Sequence, residues 1–403
     1  MSGPLDGTLV LDLSRVLAGP WASQALADLG ARVIKVERPG RGDDTRSWGP
    51  PFLESGDSKE SAYFLSANRG KESIAIDFKD PRGQSILREL ASKADILIEN
   101  YKIGGLKAYG LDYDSIRELN PAIVYCSISG FGQTGLYAKK PGYDFMIQAM
   151  SGLMSITGTE KPTKVGVAVS DLITGLYATV GILGAYTRAR ETGQGEFVDV
   201  ALLDSQLASL ANQASNYLVS GESPGLTGNA HPNIVPYQVF ETADEPIVVA
   251  VGNDGQFVSL CKAISCEDLS SDPRFITNAV RVQNRETLVP LIAAELLKQP
   301  AAYWLVALES CGIPVGPVNS IAEAFADPHV IDRQTVMHME RADLGAIPGV
   351  RSPIRFRNHN VDESTAPPAL GDSTRAVLLE IGLSELEIKN LLSDGVAAAP
   401  KKF

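Results

Sequence analysis

Long apolar runs are missing: no uninterrupted stretch reaches the ~18 residues of a membrane-spanning helix. Cysteine is scarce. Cys126, Cys261, Cys266 and Cys311 form no C-x-x-C pair, which argues against a disulfide frame or a zinc ribbon and for thiols in a reducing compartment. The histidines are also few, and His231, His329, His338 and His359 show no metal-ligand spacing, so no metal is expected. Positive charge is in deficit, with 36 Lys and Arg against 48 Asp and Glu for a net charge of −12. That balance disfavours non-specific nucleic-acid binding, which needs a basic surface. No G-x-x-x-x-G-K-[ST] and no G-x-S-x-G occurs, which speaks against a P-loop ATPase and an α/β-hydrolase. The N-terminus has neither a basic region leading an apolar stretch nor an Arg-rich transit character, so the expected place is the cytoplasm, with no membrane partner.

What is present suits a large soluble globular protein. The 403 residues, 44% of them hydrophobic, suffice for two or three domains with full cores. Short apolar runs at 8–13, 32–37, 73–78, 95–100, 123–129 and 195–202 alternate with helical stretches at 20–30, 81–94, 170–193 and 203–221. Such alternation predicts an α/β layer around a parallel sheet. After 221 the texture changes. A Gly/Pro/Asn-rich connector, 222–236, leads to a hairpin, and helices follow near 255–265, 284–298 and 301–311.

Basic residues gather where strands end. Lys35, Arg38, Arg41 and Arg46 follow the second strand, Arg69 and Lys71 precede the third, and Lys102 follows the fourth. Open α/β sheets bind ligands at such places, and local cations in an acidic chain suggest a phosphorylated ligand. The segment GFGQTG (130–135) follows a strand, but Pro141 and Gly142 break the helix that a dinucleotide fingerprint needs. It reads instead as a Gly-rich loop lining a cleft. Asp171, in VGVAVSDLITGLYA, opens a helix. By itself it is either a helix cap, a task Ser170 also suits, or a carboxylate kept ionised by the helix end and usable as a nucleophile.

In this order, LDLSRVLAGPWASQALADLGARVIKVERPGRGDDTR, SANRGKESIAIDF, ILIENYKIGGL, YCSISGFGQTGLYAKKPGYD, GVAVSDLITGLYA, TGQGEFVDVALLDSQ and CGIPVGPVNS resemble the class III CoA-transferases, the formyl-CoA and carnitine-CoA transferase family. SGLMSITG, GNAHPNIVPYQVF and VVAVGNDGQF resemble its succinyl-CoA:glutarate, or dicarboxylate, type. The formyl type differs, carrying a glycine run absent from 222–260 and Gln where this chain has Leu17. The resemblance implies an α/β fold with a Rossmann-like large domain (1–221 plus 333–403), a smaller inserted α+β domain (222–332) and an interlocked homodimer. It implies Asp171 as nucleophile, through an aspartyl anhydride and an aspartyl-CoA thioester. Coenzyme A is then a substrate, and no permanently bound cofactor is expected.

For coenzyme A the resemblance points to Leu17, Ala18 and Arg38, to Asn68, Arg69, Gly70 and Lys71, to Asn100, Tyr101 and Lys102, and to Lys140, Pro141, Gly142 and Tyr143. At Ala108 the family often has Arg, so Lys107 or Lys102 is expected to supply that charge. For the far carboxylate of a dicarboxylic acceptor the candidates are Arg46 and His231. The related α-methylacyl-CoA racemases share the fold but need a His in G-H-D, where this chain has Tyr143 in G-Y-D. A non-catalytic CoA-binding protein is the reading from outside enzymology.

Overall fold

Strand Leu9–Asp12 is central to a seven-stranded sheet in the computed structural model, which describes residues 3–358 and 365–400. His359 lies outside the described residues. On one side of the central strand lie Arg32–Glu37, then Lys71–Ile76, then the two-residue Ala397–Ala398; on the other lie Ile96–Glu99, Val124–Ser129 and Glu196–Ala201. All neighbours run parallel except Ala397–Ala398. The chain builds outward in one direction from Leu9–Asp12 and then returns to its other side at Ile96–Glu99. That reversal makes a topological switch point, where open sheets leave a crevice beyond the carboxyl ends of their strands.

The sheet is buried on both faces, which is why its strands read as nearly continuous apolar runs. Leu11, Ile34, Ile74 and Leu97 pack into one layer with Ile86, Leu87 and Leu90 of helix Pro81–Lys93. Val10, Val33, Ile96 and Val124 pack into the other with Ala22 and Leu26 of helix Ala18–Asp28 and Ala178 and Ile182 of helix Val169–Thr192. Val169–Thr192 is long and apolar enough by composition to cross a membrane, and here it packs against Ala18–Asp28. Gly175 sits at that crossing. A Cβ there would lie 2.7 Å from the Ala18 carbonyl oxygen and 3.1 Å from Trp21, so only glycine lets the two backbones approach so closely.

Two compact units divide the chain. One comprises Met1–Ser151, Gly166–Ser209 and Pro328–Phe403, the other Gly152–Val165 and Leu210–Asp327. The sequence reading instead puts its boundaries at 221/222 and 332/333. The expected helix at 203–221 is two helices, Leu202–Ser209 and Ala211–Ser220, with Ala211 at the start of the second at φ 47°. The second unit has a three-stranded antiparallel sheet, Val315–Pro317, Ile247–Ala250 and Tyr237–Phe240. Its core holds Phe257, Leu260, Ile292, Trp304 and Leu308.

Candidate active site

Asp171 stands in the first turn of helix Val169–Thr192. That helix has no side-chain cap of its own from Ala168. The cap comes from another element: Asp144 accepts the Ser170 backbone N–H at 2.8 Å and, with its other oxygen, the Gln148 side-chain amide at 2.8 Å. Asp171 is therefore released from capping, and no described residue donates a hydrogen bond to it. Burial, and secondarily the charge of Asp144, push its carboxyl up to about 7. Desolvation and a like charge thus outweigh the helix end, which by itself would favour the ionised form. Tyr63 faces the same charges. Burial first and Asp171 next push its phenol up to about 12, so it is a neutral donor at physiological pH.

A second feature opens at the switch point, a cavity of about 300 Å³ at the carboxyl ends of three strands. Arg38 lines it after strand Arg32–Glu37, Asp77, Phe78 and Lys79 after Lys71–Ile76, and Tyr101 and Lys102 after Ile96–Glu99; Arg15 joins them from the central strand. Phe78 packs edge-on against Tyr101 and Tyr109 at 5.7 and 5.3 Å between centroids. The lining thus offers aromatic faces beside cations, a chemistry suited to a nucleotide with phosphates.

Several other cations that the sequence brings to strand ends turn inward. Lys35 and Asp43 form a fully buried pair at 2.9 Å. Lys71 is fully buried and donates to Asp12 at 3.3 Å, to the Pro20 carbonyl at 2.9 Å and to Asn68 at 2.9 Å. Burial drives its ammonium down to about 7 against the pull of Asp12. Arg69 grips both Asp28 oxygens and the Val350 carbonyl. Arg46 grips both oxygens of Glu37, then Glu60 and the Pro368 carbonyl, with its guanidinium 3.6 Å from the centroid of the Phe64 ring.

Residues 5–374 match the sequence profile of CoA-transferase family III. The chain is a class III CoA-transferase. A succinate–glutarate CoA-transferase of Agrobacterium fabrum is 50% identical over 382 residues, 94% of this chain and 96% of that one. The succinyl-CoA:glutarate CoA-transferase of Homo sapiens is 45% identical over 396 residues, 98% of this chain and 90% of that one. A crystal structure of a CAIB/BAIF family protein from Brucella suis superposes with a TM-score of 0.83 at 45% identity, covering 94% of this chain and all (100%) of that one.

In this transferase Arg38, Tyr101 and Lys102 meet in the cavity at the switch point. Asn100 acts one step back, bonding the Arg15 backbone at both its N–H and its carbonyl. Leu17 and Ala18 are buried at the start of helix Ala18–Asp28, which meets the helix of Asp171 at Gly175. Gly142 packs face to face with Gly130, since a Cβ on either would fall within 2.6 Å of the other's Cα. The first glycine of GFGQTG therefore serves a close backbone approach. Lys140 is exposed, its ammonium 3.7 Å from the centroid of Tyr137; Pro141 and Tyr143 are exposed as well.

In the segment Asn68, Arg69, Gly70 and Lys71 the polar side chains are engaged inside by Asp28, Asp12 and backbone carbonyls, and the Gly70 N–H donates to the Thr365 carbonyl. Arg46 is engaged likewise, its donors committed to the buried carboxylates of Glu37 and Glu60. His231 belongs to the second unit, where its Nδ1 accepts the Asn233 N–H at 3.0 Å and Arg285 holds its carbonyl. Asp144, which in KPGYDF reads as a turn residue, caps the helix of Asp171 instead. Sequence reasoning did not single out Arg15 and Lys79, which line the cavity, because each is a polar residue beside a strand, like many others in the chain.

Proposed function

We propose that this transferase moves CoA from succinyl-CoA to glutarate or a similar short dicarboxylate, with Asp171 as the nucleophile. The observation that carries the reading is the half-buried Asp171 carboxylate, relieved of capping by Asp144 and without a hydrogen-bond donor among the described residues. In the proposed course, an Asp171 oxygen attacks the succinyl thioester carbonyl. The C–S bond breaks and CoA leaves as a thiolate, giving a succinyl–aspartyl anhydride. The thiolate then attacks the Asp171 side-chain carbonyl and expels succinate, leaving an aspartyl-CoA thioester. Glutarate attacks that same carbonyl and expels the thiolate. The thiolate finally attacks the glutaryl carbonyl of the new anhydride, which regenerates the Asp171 carboxylate and gives glutaryl-CoA. Leu17–Gly19, at the start of helix Ala18–Asp28, supply backbone N–H groups beside the crossing at Gly175, suited to a developing oxyanion. The cavity with Arg38, Tyr101 and Lys102 takes the nucleotide end of CoA.

The small domain as an insertion, the interlocked homodimer and the cytoplasmic location belong to the same reading and follow the family resemblance. So do Lys140, Pro141, Gly142 and Tyr143 as CoA contacts and His231 as the acceptor contact, through Nε2. Mass spectrometry of the CoA products after mixing succinyl-CoA with glutarate is the direct test. Glutaryl-CoA is the expected product, and its absence while another dicarboxylate accepts CoA would replace glutarate in this assignment.

A pH profile follows from the Asp171 environment. The attacking carboxylate must be ionised, and its carboxyl titrates near 7, so the rate of anhydride formation should rise with pH through about 7. Removing a neighbouring negative charge favours ionisation. Asp144→Asn, which keeps an oxygen for the Ser170 N–H, should therefore move the midpoint to lower pH. A midpoint that stays in place would detach Asp144 from the nucleophile.

A further inference from the structure

Arg15 leaves the central strand and reaches the cavity that holds Arg38, Tyr101 and Lys102. Its backbone is held with unusual care. The Arg15 N–H donates to Asn100 Oδ1 at 2.9 Å, and Asn100 Nδ2 donates to the Arg15 carbonyl at 2.7 Å. Val16, next in the chain, has φ 71°, a left-handed conformation that is costly for a β-branched residue. Its N–H is met by both Asp43 oxygens at 3.3 Å, and Asp43 is locked in turn by the buried Lys35.

The far end of the side chain is held differently. Nη1 meets Asp44 at 3.0 Å, in a pair whose side chains are 35% and 39% exposed, and such a pair contributes little. Nε is buried and has no hydrogen-bond partner among the described residues. An N–H in that position is unfavourable. The guanidinium also lies over the Tyr101 ring, 5.1 Å from its centroid. A constrained backbone therefore holds Arg15 at the wall of a cation-lined cavity, its guanidinium only lightly paired. Nη1 and Nη2, at the exposed end of the side chain, make the kind of fork that grips a phosphate through two parallel hydrogen bonds.

We propose that Arg15 binds a phosphoryl group of CoA through this fork, so that it sets affinity for the thioester without touching the reacting carbonyl. This rests on the reading of the cavity as the nucleotide site of a CoA-transferase. The test is Arg15→Met, which keeps most of the apolar stem. A lost charged hydrogen bond should raise the KM for succinyl-CoA about ten- to hundredfold, with kcat changed by less than about twofold. Succinyl-pantetheine, a thioester without phosphate, should be used by wild type and variant with the same kcat/KM. Arg15→Lys should recover part of the loss, since an ammonium keeps the charge but not the fork. Equal losses on both thioesters, or no loss on either, would overturn the assignment. Calorimetry of CoA binding to wild type and Arg15→Met separates this proposal from the function on which it rests. Weakened CoA binding in the variant supports the contact even if the acceptor is not glutarate, whereas equal affinity overturns it whatever the acceptor.

Discussion

Asp171→Asn is expected to stop exchange, with a fall of about 10⁴-fold or more, equivalent to roughly 5.5 kcal/mol of barrier. An amide at this position cannot form the anhydride, and no neighbouring carboxylate is free to replace it: Asp144 is committed to Ser170 and Gln148. The fold should survive. Burial and Asp144 already disfavour the charged form of Asp171, so at pH 8 the neutral Asn variant should unfold at a urea concentration no lower than wild type. Hydroxylamine added during turnover with succinyl-CoA should label the wild type at Asp171 and leave the variant unlabelled. Near-normal exchange by a folded Asn variant would remove Asp171 from the chemistry.

Arg46→Ala is expected to cost stability, roughly 3–5 kcal/mol, because it strands buried carboxylates that were paired. Glu37 loses its guanidinium and Glu60 is left with Arg341 alone, at 3.4 Å, and the cover over Phe64 goes with it. The two carboxylates respond differently to their sites. Arg46 holds Glu37 below the usual range, whereas burial prevails at Glu60 and pushes it up. The sign for Glu37 follows from linkage. Its stabilising share is present above its unfolded pKa and is lost as pH falls through its lowered folded value. In the Ala variant that acid-side loss should shrink, because Arg46, the strongest of the groups that lower Glu37, is gone while Lys35 and Ser73 remain. A variant with wild-type urea midpoint and a selectively raised KM for dicarboxylates would instead return Arg46 to the substrate site.

The alternation of strand and helix was legible because each element carries its own periodicity. The expected strand at 32–37 is Arg32–Glu37, and that at 123–129 is Val124–Ser129. The expected strand at 73–78 begins two residues earlier, at Lys71, since a buried lysine does not read as part of an apolar run. The helix expected at 203–221 was misread as continuous. Its residues favour a helix throughout, and the break at Ala211 is a backbone conformation that composition does not announce.

Charge was the part that sequence could place but not orient. Arg69 and Arg38 look alike as cations near strand ends. Arg69 finds Asp28, forty-one positions away, and turns inward; Arg38 stays exposed at the cavity. Arg46 is claimed by Glu37, Glu60 and a carbonyl at Pro368, a set that no local window contains.

The sequence by itself determined the family, the parallel α/β layer and Asp171 as the carboxylate to watch, because these rest on ordered motifs and on periodicity along the chain. Tertiary structure alone decided which cations hold the fold and which line a cavity. It also decided that Asp144 caps the helix of Asp171, that burial and then Asp144 raise the pKa of Asp171, and that Arg15 lies over Tyr101. The reason is physical. A charge takes its role from the partner it meets and from how much water it keeps, and both are set by residues brought together from distant parts of the chain.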